Sequence, residues 1–341
     1  MNEVGRTGNT AMSQSAYVCP LTMQRLVETE NGLVREDGKI HQNLPACRPG
    51  IPVLCGNQTA EAQAPASYGG PDSVQVYDNF LDWLFATFDV AESDIRAMMA
   101  RKLAVQEGSR VLVTGCGLGD DLLAIKQIVG PSGHIWAQDL SPQMVVAAHE
   151  RMRTNSTRTR FSETPGNIHL SVCDAAALPF TDQFFDAAFH FGGINLFSDV
   201  DRSISEMNRV VKIGGKVVFG DEGIAPWLKN HEYGNMMISN NRAWAAEPPL
   251  SLLPATVQDV SLTWILGNCF YLIDFTVGSS LPRPNIDIKH KGANGGSIRT
   301  RYFGRLQGID PALKDAASRA ARARGVSMQE WLEAAITNAL K

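Results

Sequence analysis

The chain has little surplus charge, few histidines and no uninterrupted apolar run, and each shortage removes a class of function. Its 341 residues carry 31 basic and 35 acidic side chains, a net charge of −4, so no global field draws it to nucleic acid or an anionic membrane. The least polar long stretch, "VSLTWILGNCFYLIDFTVG", is interrupted by Asn268 and Asp274 and reads as buried core, not as a membrane span. A basic patch followed by an apolar segment is missing at the N-terminus, which leads us to expect no signal peptide and a cytoplasmic protein. The six cysteines are scattered and form no dense framework, as suits thiols in a reducing compartment. Internal repeats and low-complexity runs are absent.

What remains is a chain long enough for one large domain or two smaller ones. Residues 1–15 are small and polar and read as disordered. Residues 16–70 form a small module of short strand-like pieces with a linker at its end. Residues 71–308 read as the main domain, opening with a helix over 74–105 in which Phe80, Trp83, Leu84 and Phe88 recur at helical spacing. Strands are expected near 110–115, 134–140, 168–174, 184–191 and 216–221, with helices near 119–130, 142–153 and 199–212 between them. Such alternation predicts an α/β fold, a doubly wound, mostly parallel seven-stranded sheet with helices on both faces. The aromatic, proline-bearing stretch 222–268 breaks the rhythm and reads as a cap inserted over the ligand site. "FYLIDFTVG" and "SIRTRYFGRL" are expected to pair as a closing hairpin. Residues 309–341 read as a helical tail, an Ala-rich helix pair broken at Gly325-Val326-Ser327.

The first strand runs into "VLVTGCGLGDDL", Val111 to Leu122. Gly115, Gly117 and Gly119 there let backbone approach a ligand closely, at positive φ where needed, ahead of a helix N-terminus with free N–H groups. A dinucleotide loop is spaced G-x-G-x-x-G. Here the third glycine comes one residue early, and Asp120 and Asp121 would repel a pyrophosphate but suit a cationic ligand. The second strand ends "IWAQDLSPQM", which puts Asp139 about twenty residues past the loop, where doubly wound folds hold ribose hydroxyls. Ser141 caps the next helix, with Pro142 in its first turn. The third strand ends "SVCDAAALPF", which sets Asp174 at another carboxyl edge. For Asp139 and Asp174 the competing structural role is capping of the element that follows; for Asp120 and Asp121 it is pairing with a helix dipole.

In this order, "VLVTGCGLGDDL", "AQDLSPQMV", "CDAAALPFTDQFFD" and "EMNRVVKIGGKVVFGDE" resemble the successive motifs of class I S-adenosylmethionine-dependent methyltransferases. The likeness is greatest to the ubiquinone/menaquinone-biosynthesis type and covers roughly residues 75–225. It implies S-adenosylmethionine (SAM) as cofactor. Gly115, Cys116, Gly117 and Gly119 would surround its methionine end, and Asp139 would hold the ribose. Leu140 and Met144 would pack on the adenine, and Asp174, between Cys173 and Ala175, would accept from the adenine amino group. His190 to Gly193 would face the sulfonium and the acceptor. His190 is also a general-base candidate, with an ordinary pKa of ~6.5; Asp221, Glu222, His231 and Tyr233 are further acid/base candidates. Two positions depart from the family: the acid usual two residues before the first glycine is Val113, and the proline usual before the fifth strand is Ile213. With Val113 apolar, the methionine ammonium is left to the Gly115 carbonyl, His190 or Asp120.

The flanking modules carry resemblances of their own. "CPLTMQRL…GIPVLC" resembles the zinc-ribbon-like module found before some methyltransferases, with Cys19, Cys47, Cys55 and His41 as the ligand-type residues. A ribbon wants C-x₂-C pairs and Thr22 stands where the partner of Cys19 belongs, so a module that packs without metal or caps the active site is favoured. The C-terminal helix pair resembles that of ribbon-helix-helix repressors. Its apolar stripes, with Leu313, Ala317 and Ala320 on one helix and Trp331, Leu332 and Ala335 on the other, favour homodimerisation or packing on the core over DNA binding.

Together these readings point to a SAM-dependent methyltransferase acting on a small, partly apolar molecule in biosynthetic or secondary metabolism. A SAM-using enzyme of non-methylating type, through cyclisation or aminocarboxypropyl transfer, and a SAM-binding DNA-binding regulator are the alternatives. Nothing basic and aromatic-interleaved supports an RNA substrate.

Overall fold

A computed structural model describes residues 16–29, 32–35, 40–41, 50–55, 72–154, 167–304 and 309–341. The chain divides into two units, residues 1–281 and 282–341. Expectations for residues 1–15, for the linker before residue 71 and for Cys47 lie outside the described residues, as does the side chain of His41.

The first unit is organised by a seven-stranded sheet. Helices α1 (Ser73–Thr87) and α2 (Glu92–Arg101) precede it. Numbering three short N-terminal strands β1 (Val27–Thr29), β2 (Gly32–Val34) and β3 (Ile40–His41), the sheet strands are β4 (Arg110–Thr114), β5 (His134–Asp139), β6 (Ile168–Val172), β7 (Phe185–Phe191), β8 (Val211–Glu222), β9 (Gln258–Ile265) and β10 (Phe270–Thr276). Their order is β6-β5-β4-β7-β8-β10-β9. β4 to β8 run parallel, and β10 is antiparallel to both of its neighbours. The helices α3 (Leu122–Val129), α4 (Pro142–Thr154) and α5 (Val200–Val210) supply the crossovers. The parallel strands are apolar on both faces, as a doubly covered sheet demands: Val111, Leu112 and Val113 are all buried. This is the expected α/β doubly wound fold, in which the chain leaves β4 for β5 and β6 and returns to start again at β7. That reversal opens a crevice at the carboxyl ends of the strands.

Two expectations fail here. The partner of β10 is β9, inside the stretch read as a cap, while Ile298–Phe303, in the stretch read as the second hairpin strand, is a helix, α7. Leu266, Gly267 and Asn268 all take positive φ and form the hairpin turn, and a Gly-Asn pair between apolar runs is a hairpin signal. α7 instead has a capping box, Ser297 with Thr300, that starts a helix there. The inserted segment therefore shrinks to 223–257. The two units meet at 281/282, not at the expected 308/309, and among the described residues 297–304 add no strand to the sheet.

The N-terminal segment packs on the β6 edge. Leu54 donates its N–H to Val172, Val18 to Pro179, and Cys19, Leu26, Leu33 and Leu54 form a small core with Cys173. Among the described residues no three His, Cys, Asp or Glu side chains are placed to hold a metal ion. The second unit contains α7 and the helical pair α8 (Pro311–Ala323) and α9 (Met328–Ala339), with Ser327 and Glu330 forming a capping box at the start of α9. Leu313 and Leu340 are exposed there.

Candidate active site

The crevice holds a cleft of about 300 Å³ at the carboxyl ends of β4, β5, β6 and β7. Gly115 and Gly117 form its floor at φ +58° and +51°, a region closed to most side chains. A Cβ on Gly115 would also lie 3.0 Å from the His190 ring. Asp139, at the end of β5, ties the loop together: Oδ2 accepts the Gly117 N–H at 2.9 Å and Oδ1 the Ser141 N–H at 2.9 Å. Burial pushes its carboxyl up against the pull of those N–H groups. The carboxyl still borders the cleft. Ser141 then caps α4 through the Met144 N–H.

Most of the expected cofactor residues come together. Gly115, Gly117, Asp139, Leu140, Met144, Cys173, Asp174, Ala175 and His190 all line the cleft. Asp174 spends Oδ1 on the Ala176 N–H, the capping role weighed against ligand binding, and still borders the cleft. Cys116 and Gly119 do not line it: the Cys116 side chain turns into the core, and burial holds its thiol well above the usual range. Val113, standing for the missing acid, is likewise core.

The acid/base candidates fare differently. The His190 side chain is fully buried. Its Nδ1 donates to the Thr114 carbonyl at 2.8 Å, and burial lowers its pKa, so it is a neutral ring that braces the loop. Its Nε2 is buried without a partner, and the ring borders the cleft. Asp221 is 1% exposed and accepts the N–H groups of Gly193, Asn195 and Glu222, so it staples the loop after β7 to the end of β8. His231 caps α6 (Glu232–Asn240) through the Tyr233 N–H. Tyr233 donates to the Gly267 carbonyl, and burial pushes its hydroxyl up to about 12. Neither lines the cleft. Both serve the insertion, whose distance from the cleft cannot be read from residue type.

Three features went unseen in the sequence. Tyr77 of α1 reaches the cleft one turn before Phe80 in the same apolar stripe. Gln138 lines the same cleft, and its buried amide nitrogen has no hydrogen-bond partner. A second cavity, about 80 Å³, shares Tyr77, Gly192, Gly193 and Leu196 with the cleft and is walled by Phe80, Phe191 and Phe270. Asp221 and Glu222 border it, and burial, followed by the Asp221 charge, pushes the Glu222 carboxyl up to about 7.

This geometry can be set beside known proteins. Residues 77–222 match the ubiE/COQ5 methyltransferase family. The ubiquinone/menaquinone biosynthesis C-methyltransferase UbiE of Bordetella avium is 34% identical over 125 residues, 36% of this chain and 44% of the relative. The demethylmenaquinone methyltransferase of Staphylococcus carnosus is 33% identical over 123 residues, 36% and 47% of the two chains. The chain thus spans less than half the length of the curated relatives it matches. Among solved structures, a phosphoethanolamine N-methyltransferase 2 of Haemonchus contortus in complex with SAM superposes at TM-score 0.48 and 15% identity, over 67% of this chain and 62% of that one. A putative SAM-dependent methyltransferase of Methanococcus maripaludis does so at TM-score 0.45 and 18% identity, over 61% and 94%.

The cleft suits SAM on its own chemistry. SAM presents a ribose diol, an adenine edge and a cationic sulfonium. The cleft offers the Asp139 carboxylate, apolar cover from Leu140 and Met144, and the Gln138 side chain, whose buried amide nitrogen has no protein partner.

Proposed function

We propose that the protein transfers a methyl group from SAM to a small, partly apolar acceptor in biosynthetic or secondary metabolism. A quinone-like ring is the acceptor chemistry that the UbiE relatives suggest. The observation that carries this reading is the pair of adjoining cavities: a polar-edged cleft for the donor opens on an aromatic-walled pocket for a ring. SAM supplies an electrophilic methyl on a sulfonium. The chain's own part is alignment, since holding two reactants in line is worth ~7–11 kcal/mol. Asp139 and the glycine loop fix the donor end. Leu196 and Phe197 line the cleft and help exclude water, and Tyr77 stands where both cavities meet. Among the described residues no helix is long and apolar enough to cross a membrane.

The test is incubation of the full chain with methyl-labelled SAM and 1,4-dihydroxynaphthalene. Label on the ring together with S-adenosylhomocysteine is the expected result. Methylthioadenosine in its place would indicate non-methylating chemistry, and no binding of SAM by calorimetry would overturn the reading altogether. No observation favours the regulator.

A further inference from the structure

The pocket beside the donor cleft contains a proton acceptor that donor binding does not use. We propose that Glu222 is the catalytic base of this protein, taking the proton from a hydroxyl of an aromatic acceptor seated in the pocket walled by Phe80, Phe191 and Phe270. The inference rests on the methyl-transfer reading and assigns the residue that activates the nucleophile.

Four observations converge. The pocket is contiguous with the cleft through Tyr77, Gly192, Gly193 and Leu196. Its volume of about 80 Å³, where about 10–15 Å³ admits one water, leaves room for a single ring. Its walls are mainly apolar, and of the polar groups at its border Asp221 and Arg96 are already engaged by other protein groups. Glu222 is half-buried, and Asn241 donates to its Oε1 at 3.1 Å, which orients the carboxyl.

The charged and titratable groups around it fix its character. Asp221 neighbours it on β8, but spends both oxygens on backbone N–H groups and is shut from solvent. Arg96 of α2 also borders the pocket, yet is held by Glu92 and Asp121 at 2.7 and 2.6 Å. Tyr77 of α1 lines the pocket, and burial, then the Asp221 and Glu222 charges, pushes the Tyr271 hydroxyl of β10 far up. Glu222 is therefore a carboxylate beside a like charge in an apolar recess. Burial and the Asp221 charge raise its proton affinity towards neutrality, where a general base works best.

The step balances. The acceptor O–H bond breaks and its proton passes to Glu222. The electron pair so released makes the ring nucleophilic, a carbon–carbon bond forms to the methyl, and the methyl–sulfur bond breaks with its pair going to sulfur. The ring C–H proton then leaves to water, Glu222 returns its proton to the oxygen, and one proton is released overall.

The test is proton uptake on binding of 4-nitrophenol at pH 8, from binding enthalpies in two buffers of different ionisation enthalpy. The full chain is used with S-adenosylhomocysteine present. A phenolate and the Glu222 carboxylate cannot share this pocket without a proton, so the wild type takes up close to one per probe bound. Glu222→Gln binds the probe with no uptake. Ala243→Leu, which fills the pocket wall at a different residue, weakens probe binding at least about tenfold. Both variants keep wild-type SAM affinity. No probe binding by the wild type, or equal uptake in wild type and Glu222→Gln, overturns the inference while leaving the methyltransferase reading intact; a wild type that fails to bind SAM overturns that reading instead.

Discussion

The two cavities meet at Tyr77 and are built from opposite materials. The donor cleft is a backbone device: its floor is a glycine loop, and its carboxylate, Asp139, is spent on N–H groups of that loop and of the next turn. All its decisive residues come from the strand ends of β4 to β7. The side pocket is a side-chain device, assembled from α1, α2, β7, β8, β10 and the turn at Ala243. A cofactor that is always the same can be read by fixed backbone, whereas an acceptor is chosen by side chains that can change without disturbing the sheet. Asp221 borders the side pocket and holds the loop that forms the wall common to both cavities.

This contrast can be broken at its joint. Asp221→Ala removes the shared acceptor of three part-buried N–H groups, bonds to a charged group worth about 1.5–3 kcal/mol each before water replaces them. We expect about 3 kcal/mol of lost stability in urea denaturation, the largest effect of any single change named here. A loss below about 1 kcal/mol would mean that the shared wall does not depend on it. Asp139→Ala should act on the donor side. Removing a charge-assisted partner costs ~1.5–3 kcal/mol, which calorimetry would register as SAM binding weakened about 10- to 100-fold; an unchanged affinity would dissociate Asp139 from the ribose.

Glu222→Gln sharpens the comparison through pH. Because the folded carboxyl is raised to about 7 from an ordinary 4.5, the unfolded chain loses its proton first. Stability therefore falls as pH rises through that window, and the full cost stands above it. The neutral variant should match wild type near pH 4 and exceed it by on the order of 2 kcal/mol at pH 8. Melting curves that differ equally at both pH values would contradict this. The smallest effect is His231→Ala, which removes only a helix cap: about 0.5–1 kcal/mol of stability and no change in SAM affinity. A tenfold change in that affinity would return His231 to the site.

How far the sequence could be read follows the same division. The donor half was legible because each of its parts leaves a local pattern: glycines after an apolar run, an acid at a strand end, a serine-proline start to a helix. Gly115, Gly117, Asp139 and Asp174 were found that way. His190 was found at the right place, but its chemistry was not legible, since its enclosure depends on Phe197 and on the carbonyl it meets at Thr114. Tyr77 and the side pocket left no signal, because an aromatic in a helical stripe reads equally well as core. The missed β9 had a signal in Leu266-Gly267-Asn268, overridden by the stronger-looking β-branched and aromatic run at 298–303, where the Ser297 cap decided for helix.

That hairpin also bears on how such a protein can diversify. Phe270 pairs with Glu222, so the turn before β10 lies at the rim of the site, while Thr276 pairs with both Lys216 and Gln258 towards the far rim. Residues 223–257 must therefore leave β8 at one rim and enter β9 at the other, a strap held where Gly223, Ile224 and Ala225 bond to Cys269, Trp244 and Asn268, where Tyr233 and Asn241 bond to Gly267 and Glu222, and where Trp244 is buried in the core. Between those anchors its exposed positions, among them Trp227, Met236 and Leu250, can change without shifting the register of any strand. A lineage can thus retool what it methylates by rewriting one strap, while inheriting the donor machinery unaltered.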